Sequence, residues 1–259
     1  MSILKVESLT KSFGGLKVLT GVTFDVRRGE KLALIGPNGA GKSTLLNAIA
    51  GQDPATGGKV EFNGKEITFL APDKRLHMGL GRSYQANNLF WHLSNLENVL
   101  LALYGAEKNH SRMLQVLSGR KDLLEKAEGL LNTVGLWGKR HESPPVLSYG
   151  EQRLLELLLA FTSNPDLVLL DEPSAGLPTA EAFAFADILR KLAKDTTLLF
   201  CAHDMDLVFN LADSIMVLYF GEIMVRGTPQ EISANPKVRE IYLGSEDDDV
   251  KTGAAAGQS

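Results

Sequence analysis

The sequence contains one cysteine, Cys201, which excludes a disulfide framework within the chain. We expect Cys201 to be a small buried residue, in keeping with a reducing cytoplasm. Long apolar runs are also absent: the longest candidates, such as LLELLLAF at 154–161, are far shorter than the ~18 residues of a membrane-spanning helix. The N-terminal MSILKVESLTKSF lacks the basic start and apolar stretch of a signal peptide. The chain is therefore not expected to cross a membrane on its own.

An excess of positive charge is missing too. The chain has 27 Lys and Arg against 31 Asp and Glu, a net charge of −4, so we predict no nucleic-acid partner. Its 44% apolar and 22% charged residues are typical of a soluble globular protein. A length of 259 residues suits one large α/β domain or two small ones, with a sizeable core.

Short strands are predicted in the first part of the chain. Residues 3–9 and 20–26 have the pattern of strands, joined through the turn-prone Phe13-Gly14-Gly15. The continuous apolar run at 31–35 predicts a fully buried strand. KVEF and KEI flank Asn63-Gly64, which predicts a tight hairpin. We expect antiparallel strands beside at least one central strand.

Helical patterns follow from about residue 90. Ser94-Asn95-Leu96-Glu97 and Ser148-Tyr149-Gly150-Glu151 each have the sequence of a capping box. Helices are predicted to begin there, the second running to about Thr162. Helical spacing also covers 110–134, and Pro144-Pro145 interrupts the pattern.

The last third of the chain alternates strands and helices. Buried strands are predicted at 167–170, 197–200 and 215–219, with the helix EAFAFADILRKLAKD between the first two. This alternation predicts a parallel sheet. Thr228 caps another predicted helix, and Pro236 begins a last one that ends at Gly244. The tail at 245–259 begins with acidic residues, continues with small and polar ones, and is predicted to be disordered.

GPNGAGKS matches the phosphate-binding pattern G-x-x-x-x-G-K-[ST], between a buried strand and the helix-compatible STLLNAIAG. Glycines let the backbone turn its N–H groups toward phosphates, and the following helix N-terminus favours anions. Lys42 would add positive charge near the outer phosphates, and the Ser43 hydroxyl is a ligand for Mg²⁺. The alternative is a glycine-rich turn with an incidental lysine, but both flanks favour a nucleoside triphosphate site with magnesium. Its predicted binding residues are Gly36, Pro37, Asn38, Gly39, Ala40, Gly41, Lys42, Ser43 and Thr44.

Two acids follow the apolar strand in LVLLDEP at 167–173. The strand brings Asp171 and Glu172 to its C-terminal end, where ligands bind in such sheets. Asp171 suits the magnesium, directly or through water, and Glu172 could polarise the attacking water as a general base. An acidic pair is also common in turns, so this prediction depends on the phosphate loop upstream.

With LSYGEQR at 147–153 as a third motif, the series resembles the nucleotide-binding subunits of ATP-binding cassette (ABC) transporters. The resemblance covers roughly residues 3–244, with its motifs in the family order. It implies an α/β fold: a P-loop NTPase of the ABC type, whose mixed sheet core carries an antiparallel β subdomain and an inserted α-helical subdomain at about 88–162. The chain is thus predicted to form a single domain over 1–244 that binds and hydrolyses ATP with Mg²⁺.

The resemblance assigns further residues to this site. Phe13 is placed where the family has an aromatic that stacks on adenine; the alternative is a core phenylalanine. Gln85 matches the glutamine that reaches the metal and takes part in catalysis; the alternative is a surface glutamine. His203 matches the switch histidine that contacts the γ-phosphate and helps to hold Glu172 and the water, although a lone histidine is usually structural.

Two features concern contacts between subunits. In the family, the residues matched by Ser148 and Gly150 face the γ-phosphate bound by the other subunit; the alternative is a plain helix cap. Pro178 departs from the acid or asparagine that the family usually has in the loop after the second phosphate-site motif. The side-chain contacts that the family makes there are therefore not expected here.

The phrases GRSYQANNLF, HDMDLVFNLAD and FGEIMVRGTPQEI resemble the ATPases of branched-chain (hydrophobic) amino-acid importers. Related branches that import urea or short amides, or extract lipopolysaccharide, share these phrases and stay open as alternatives. The branch implies as partners a second ABC ATPase, identical or different, transmembrane permease subunits and, indirectly, an external substrate-binding protein. It implies a peripheral position on the cytoplasmic face of the membrane. A soluble non-transport ATPase is a further alternative, although such relatives usually carry a second cassette or a long coiled-coil insertion.

Overall fold

A computed structural model of the chain describes residues 1–83, 89–107 and 120–241. Three predicted features lie outside the described residues: Gln85, the first part of the helical pattern at 110–134, and the tail at 245–259. The strands in chain order are β1 (Ser2–Phe13), β2 (Leu16–Arg27), β3 (Lys31–Ile35), β4 (Gly57–Phe62), β5 (Lys65–Glu66), β6 (Leu80–Arg82), β7 (Leu167–Asp171), β8 (Thr197–Cys201), β9 (Ser214–Tyr219) and β10 (Glu222–Gly227). The α-helices are α1 (Lys42–Ala50), α2 (Pro72–His77), α3 (Asn95–Gly105), α4 (Lys121–Thr133), α5 (Tyr149–Phe161), α6 (Thr179–Leu192), α7 (Met205–Leu211) and α8 (Pro229–Ala234), and residues 236–241 are also helical.

The described strands form two sheets. One is antiparallel, with the order β2-β1-β4-β5, and the other has the order β10-β9-β3-β8-β7-β6. In the second sheet, β9, β3, β8, β7 and β6 run parallel, and β10 is antiparallel to β9. The predicted α/β fold, with a mixed sheet core and separate antiparallel strands, is confirmed.

The predicted capping boxes are also confirmed. The Ser94 hydroxyl accepts the Glu97 N–H at the start of α3, and the Ser148 hydroxyl accepts the Glu151 N–H at the start of α5. Thr228 forms a third such box with Glu231 in front of α8. Each box satisfies two N–H groups that a helix otherwise leaves without acceptors.

β1 and β2 correct the prediction of short strands at 3–9 and 20–26, because each has 12 residues. They pair from the Gly14-Gly15 turn to Ser2 and Arg27, with several register shifts along the ladder. Ser8 lies at one of these shifts with φ of +48°. A bulge reverses the alternation of side chains between the two faces, so the strand pattern is interrupted in the sequence although the pairing continues.

Four short elements were not predicted: α2, β6, α7 and β10. β6 has only three residues and α2 has six, too few to show a helix or strand period. α7 begins after Asp204, whose carboxylate accepts the N–H groups of Asp206 and Leu207. β10 is half-buried and pairs at the sheet edge, so it lacks a continuous apolar run.

The central strands are buried on both faces. Alternate residues of β3, β7, β8 and β9 pack in one core with α1 and the antiparallel sheet. The residues between them pack in a second core with α6 and α7. A third core joins α3, α4 and α5. The first core includes Leu32, Leu34, Leu169, Leu199 and Met216, and the second includes Ala33, Ile35, Val168, Leu170, Phe200 and Val217.

The parallel strands end at one common edge. Leu34 of β3 pairs with Cys201, which in turn pairs with Asp171 at the end of β7. Cys201 is buried, as expected, and burial raises the pKa of its thiol. Within the described ranges, no helix has the length and apolar character needed to span a bilayer.

Candidate functional site

The phosphate loop fills the gap between β3, which ends at Ile35, and α1, which begins at Lys42. Gly36 has φ of +153°, and a Cβ at this position would lie 2.1 Å from the Leu218 carbonyl oxygen, so only glycine fits. The turn between β9 and β10 also supports the loop, because the Gly221 N–H donates to the Ala40 carbonyl at 3.0 Å. The loop is therefore held in shape by the neighbouring strand and its turn.

The first turn of α1 is suited to an anion. Its N-cap, Gly41, has no side chain that could cap the helix, and the first turn has no acidic residue. The first N–H groups of a helix lack intrahelical acceptors and carry partial positive charge. Lys42 Nζ lies inside the loop and donates to the carbonyls of Gly36 at 2.7 Å and Pro37 at 3.0 Å. Burial is the largest cause of the lowered pKa of Lys42.

Asp171 lies beside the start of α1. The Ser43 hydroxyl donates to Asp171 Oδ1 at 3.3 Å, and Arg82 Nη2 lies 3.7 Å from Asp171 Oδ2. Burial is the largest cause of the raised pKa of Asp171; the hydrogen bond from Ser43 and the positive charge of Arg82 lower it in part. The Asp171 carboxylate and the Ser43 hydroxyl supply oxygen ligands of the kind that Mg²⁺ prefers.

Arg82 is a residue of this site that was not predicted from the sequence. It ends β6, directly beside Leu169 of β7, so the sheet register brings its side chain toward Asp171. Both side chains are buried, with 9% and 3% exposed. Its position at the end of a strand, within GRSYQ at 81–85, could have pointed to it. A strand of three residues is too short, however, to be identified from the sequence.

Glu172 and His203 meet at the same sheet edge. Glu172 Oε1 lies 2.9 Å from His203 Nε2, and both side chains reach solvent, with 28% and 43% exposed. The Glu172 N–H donates to the Cys201 carbonyl at 3.0 Å, which holds a backbone with φ of +49°. The histidine therefore has a specific acidic partner, and the pair is open to a water molecule.

Phe13 lies at the end of β1, opposite Leu16. Its side chain is 45% exposed, so the alternative of a core phenylalanine is wrong. Lys11 Nζ lies 4.7 Å from the ring centroid. Two residues beyond Leu16, Val18 contacts the phosphate loop, since a Cβ on Gly41 would lie 3.1 Å from the Val18 carbonyl oxygen. Phe13 thus offers an exposed ring at the edge that borders the loop.

Ser148 and Gly150 lie elsewhere on the chain's surface. Among the described residues, no hydrogen bond joins either of them to the phosphate loop at 36–44. Glu151 secures this helix start by bonding to Lys139 Nζ at 2.7 Å, which is the largest cause of the lowered pKa of Glu151. The structure therefore gathers the loop with Asp171, Glu172 and His203, and leaves Ser148 and Gly150 apart from this group.

A groove of about 550 Å³ separates α2 and β6 from α3 and α5. Its walls are largely apolar, with Arg82 and Glu156 among the charged residues. Other residues of its walls include Leu76, Leu80, Ala102, Leu159 and Ala160.

Two family models match the chain. One, described as ABC transporter, matches residues 19–175, and the other, described as branched-chain amino acid ATP-binding cassette transporter, matches residues 222–248. The chain is 34% identical over 249 residues to the high-affinity branched-chain amino acid transport ATP-binding protein LivG of Salmonella typhimurium. That similarity covers 93% of this chain and 98% of LivG.

Solved structures agree with the family match. An ABC-transporter ATP-binding cassette in its ADP conformation gives a TM-score of 0.83 at 33% identity, covering 94% of this chain and 99% of that one. A dimeric cassette in a post-hydrolysis state, bound to ADP and Pi, gives a TM-score of 0.75 at 25% identity, covering 87% of this chain and 98% of that one. The chain therefore belongs to the ABC transporter family and is an ATP-binding subunit that hydrolyses ATP.

Proposed function

We propose that the chain powers an importer of branched-chain or other hydrophobic amino acids. The observation that carries this proposal is the match of residues 222–248 to the branched-chain amino acid model, outside the part matched by the general family model. LivG, whose name assigns it to branched-chain amino acid transport, supports the same reading. Within the described chain the same segment begins with β10, which is attached to the phosphate loop through Gly221.

ATP would bind with its phosphates on the loop Gly36 to Thr44 and its base against Phe13. The N–H groups of the loop and of α1 would hold the phosphates, and Lys42 would turn from the loop carbonyls toward them. Ser43 and Asp171, with Gln85 as a further predicted ligand outside the described residues, would hold Mg²⁺. Phosphate and water oxygens would complete the coordination of this ion, as is usual for Mg²⁺ in nucleotide sites. Bound Mg²⁺ neutralises charge that develops on the phosphates.

Glu172 would accept a proton from the attacking water as general base. His203, 2.9 Å away, would orient the carboxylate and the water and contact the γ-phosphate. The exposure of both side chains supports these roles, since a water molecule must reach them. Gln85, which lies outside the described residues, is proposed to reach the metal and to take part in catalysis.

A second ATPase subunit would complete each site. Its residues equivalent to Ser148 and Gly150 would reach the γ-phosphate with the N-terminus of α5. The dimeric cassette bound to ADP and Pi supports such a pair. ATP would close the two subunits, and hydrolysis would reopen them. The pair could be two copies of this chain or this chain with a related ATPase.

The groove beside α5 is the proposed docking site for transmembrane permease subunits. We propose one domain over 1–244, in which a helical subdomain at about 88–162 moves relative to the sheet and forms one wall of this groove. The tail at 245–259 is proposed to be disordered. The subunit would then lie on the cytoplasmic face of the membrane. Substrate choice would belong to the permease and an external binding protein, and no nucleic acid is involved.

The direct test is a gentle detergent extraction of membranes that contain a tagged copy of the chain, with bound proteins identified by mass spectrometry. We expect multi-spanning permeases, a second cassette ATPase and an amino-acid-type binding protein. Recovery of the components of a urea or amide importer, or of a lipopolysaccharide extraction system, would show that the proposed substrate class is wrong. Only soluble companions would overturn the transporter role.

A further inference from the structure

Tyr149 connects the first turn of α5 to the loop that follows β7. Its hydroxyl donates to the Ala175 carbonyl at 2.9 Å, although 26 residues separate the two in sequence. Gly176 passes directly against the ring: it has φ of +80°, and a Cβ there would lie 2.9 Å from Tyr149 Oη. The tyrosine therefore holds the backbone of the loop at 174–177 against the start of α5.

Arg153, one turn further along α5, fixes the tyrosine in turn. Its Nε–H donates to Tyr149 Oη at 3.0 Å, and its guanidinium carbon lies 5.1 Å from the ring centroid. Its Nη1 lies 2.8 Å from Glu156 Oε2, and Glu156 lines the groove. Residues three and four apart share one face of a helix, so these three side chains form a continuous polar row from the groove to the loop at 174–177.

The beginning of α6 contacts the same turn of α5. A Cβ on Gly150 would lie 2.6 Å from Glu181 Oε2 and 3.7 Å from Leu177 Cδ2. The first turn of α5 thus meets the following loop and helix at two points, one through Tyr149 and one through Gly150. Of the two contacts, the one through Tyr149 includes a hydrogen bond to the loop's backbone.

We propose that Tyr149 is a positioning residue for ATP hydrolysis. It fixes the loop at 174–177 relative to Ser148 and Gly150. The loop and the start of α5 then present one preformed surface to the partner subunit's nucleotide. This inference rests on the proposed two-subunit site. A loop that is ordered before the partner binds loses less conformational entropy when the pair closes. Tyr149 therefore acts on turnover, and nucleotide binding by the chain's own phosphate loop does not depend on it.

The test compares Tyr149→Phe, which keeps the ring and removes the hydroxyl, with Thr133→Val on the exposed side of α4. This control removes a hydroxyl that donates to the Gly129 carbonyl at 2.9 Å. Hydrogen exchange of the full chain without nucleotide should show faster exchange at 174–177 in Tyr149→Phe and unchanged exchange at 36–44. The kcat for ATP should fall by about three- to tenfold, as expected for one lost hydrogen bond, with KM for ATP within about twofold. Thr133→Val should change neither measurement.

Faster exchange with an unchanged kcat would overturn the proposal, and so would unchanged exchange at 174–177. A kcat loss matched by a general loss of thermal stability would also overturn it, because that result indicates a merely structural role. Ser148→Ala separates the two proposals. Full turnover by Ser148→Ala would overturn the two-subunit site and this inference with it, whereas impaired Ser148→Ala beside fully active Tyr149→Phe would overturn this inference alone.

Discussion

At the residue scale, Glu172 combines an unusual backbone with an exposed acidic group. Its φ of +49° is disfavoured for a residue with a side chain, by roughly 1–2 kcal/mol. The hydrogen bond from its N–H to Cys201 and the contact of its carboxylate with His203 hold it there. Such local strain persists where the surrounding structure fixes it, commonly at functional sites. The conformation is consistent with the role of general base.

Glu172→Gln should bind ATP as the original chain does and lose turnover by about 10²–10⁴-fold, because an amide cannot accept the proton. The measurement is steady-state ATPase activity together with binding of a fluorescent ATP analogue. Glu125→Gln on the exposed face of α4 is the matched control and should keep full activity. Near-normal hydrolysis by Glu172→Gln would remove Glu172 from its assigned role.

At the element scale, α1 is held at both ends. Its N-terminus belongs to the phosphate loop, and its C-terminus is bound by Arg75, a fully buried side chain. The Arg75 guanidinium donates to the carbonyls of Ala48 and Ile49, at the end of α1, and to those of Leu70 and Thr68. Burial lowers the pKa of Arg75 to about 10. The negative end of the helix dipole and four carbonyl oxygens take the place of a carboxylate partner.

Arg75→Met should destabilise the chain by about 2–4 kcal/mol, because methionine fills part of the volume and leaves buried carbonyls without donors. Chemical denaturation of the full chain measures this free energy of unfolding. The control is Arg239→Met, an exposed arginine that donates to one carbonyl, for which a change within about 0.5 kcal/mol is expected. Equal stability of the two variants would show that Arg75 does not secure α1.

At the scale of the whole molecule, α5 connects two cores. Leu157 and Phe161 pack in the core of the sheet, while Leu155 and Leu158 pack in the core of α3 and α4. The capped start of α5, with Ser148, and one wall of the groove therefore belong to the same helix. On the proposed two-subunit site, a partner seated in the groove could in this way affect the end of α5 that is proposed to face the second subunit.

Leu76→Glu places a charge on the exposed apolar wall of the groove, where Leu76 is 36% exposed. We expect recovery of permease in the membrane pull-down to fall by about tenfold or more, with ATP binding retained, because a buried unpaired charge opposes docking. Asn132→Glu on the exposed face of α4 is the control. Equal recovery of permease with both variants would place the docking surface elsewhere.

The linear sequence determined the parts of the protein that depend on local rules. A glycine-rich loop between a buried strand and a helix, two acids after an apolar strand, and capping boxes at three helix starts each have a residue pattern that neighbouring residues alone produce. The parallel direction of the central strands also followed from the alternation of strands and helices along the chain, whereas their order in the sheet did not. These features located the phosphate loop, Asp171, Glu172 and the start of α5.

Only the tertiary structure decided the contacts between segments far apart in the chain. Arg82 meets Asp171 through the register of a three-residue strand, Arg75 reaches the end of α1, and Tyr149 bonds to Ala175. The exposure of Phe13 depends on what packs against the end of β1, which its own sequence does not show. Local propensity acts over a few residues, whereas these contacts arise from how sheets and helices pack, and for that reason they could be found only in the folded chain.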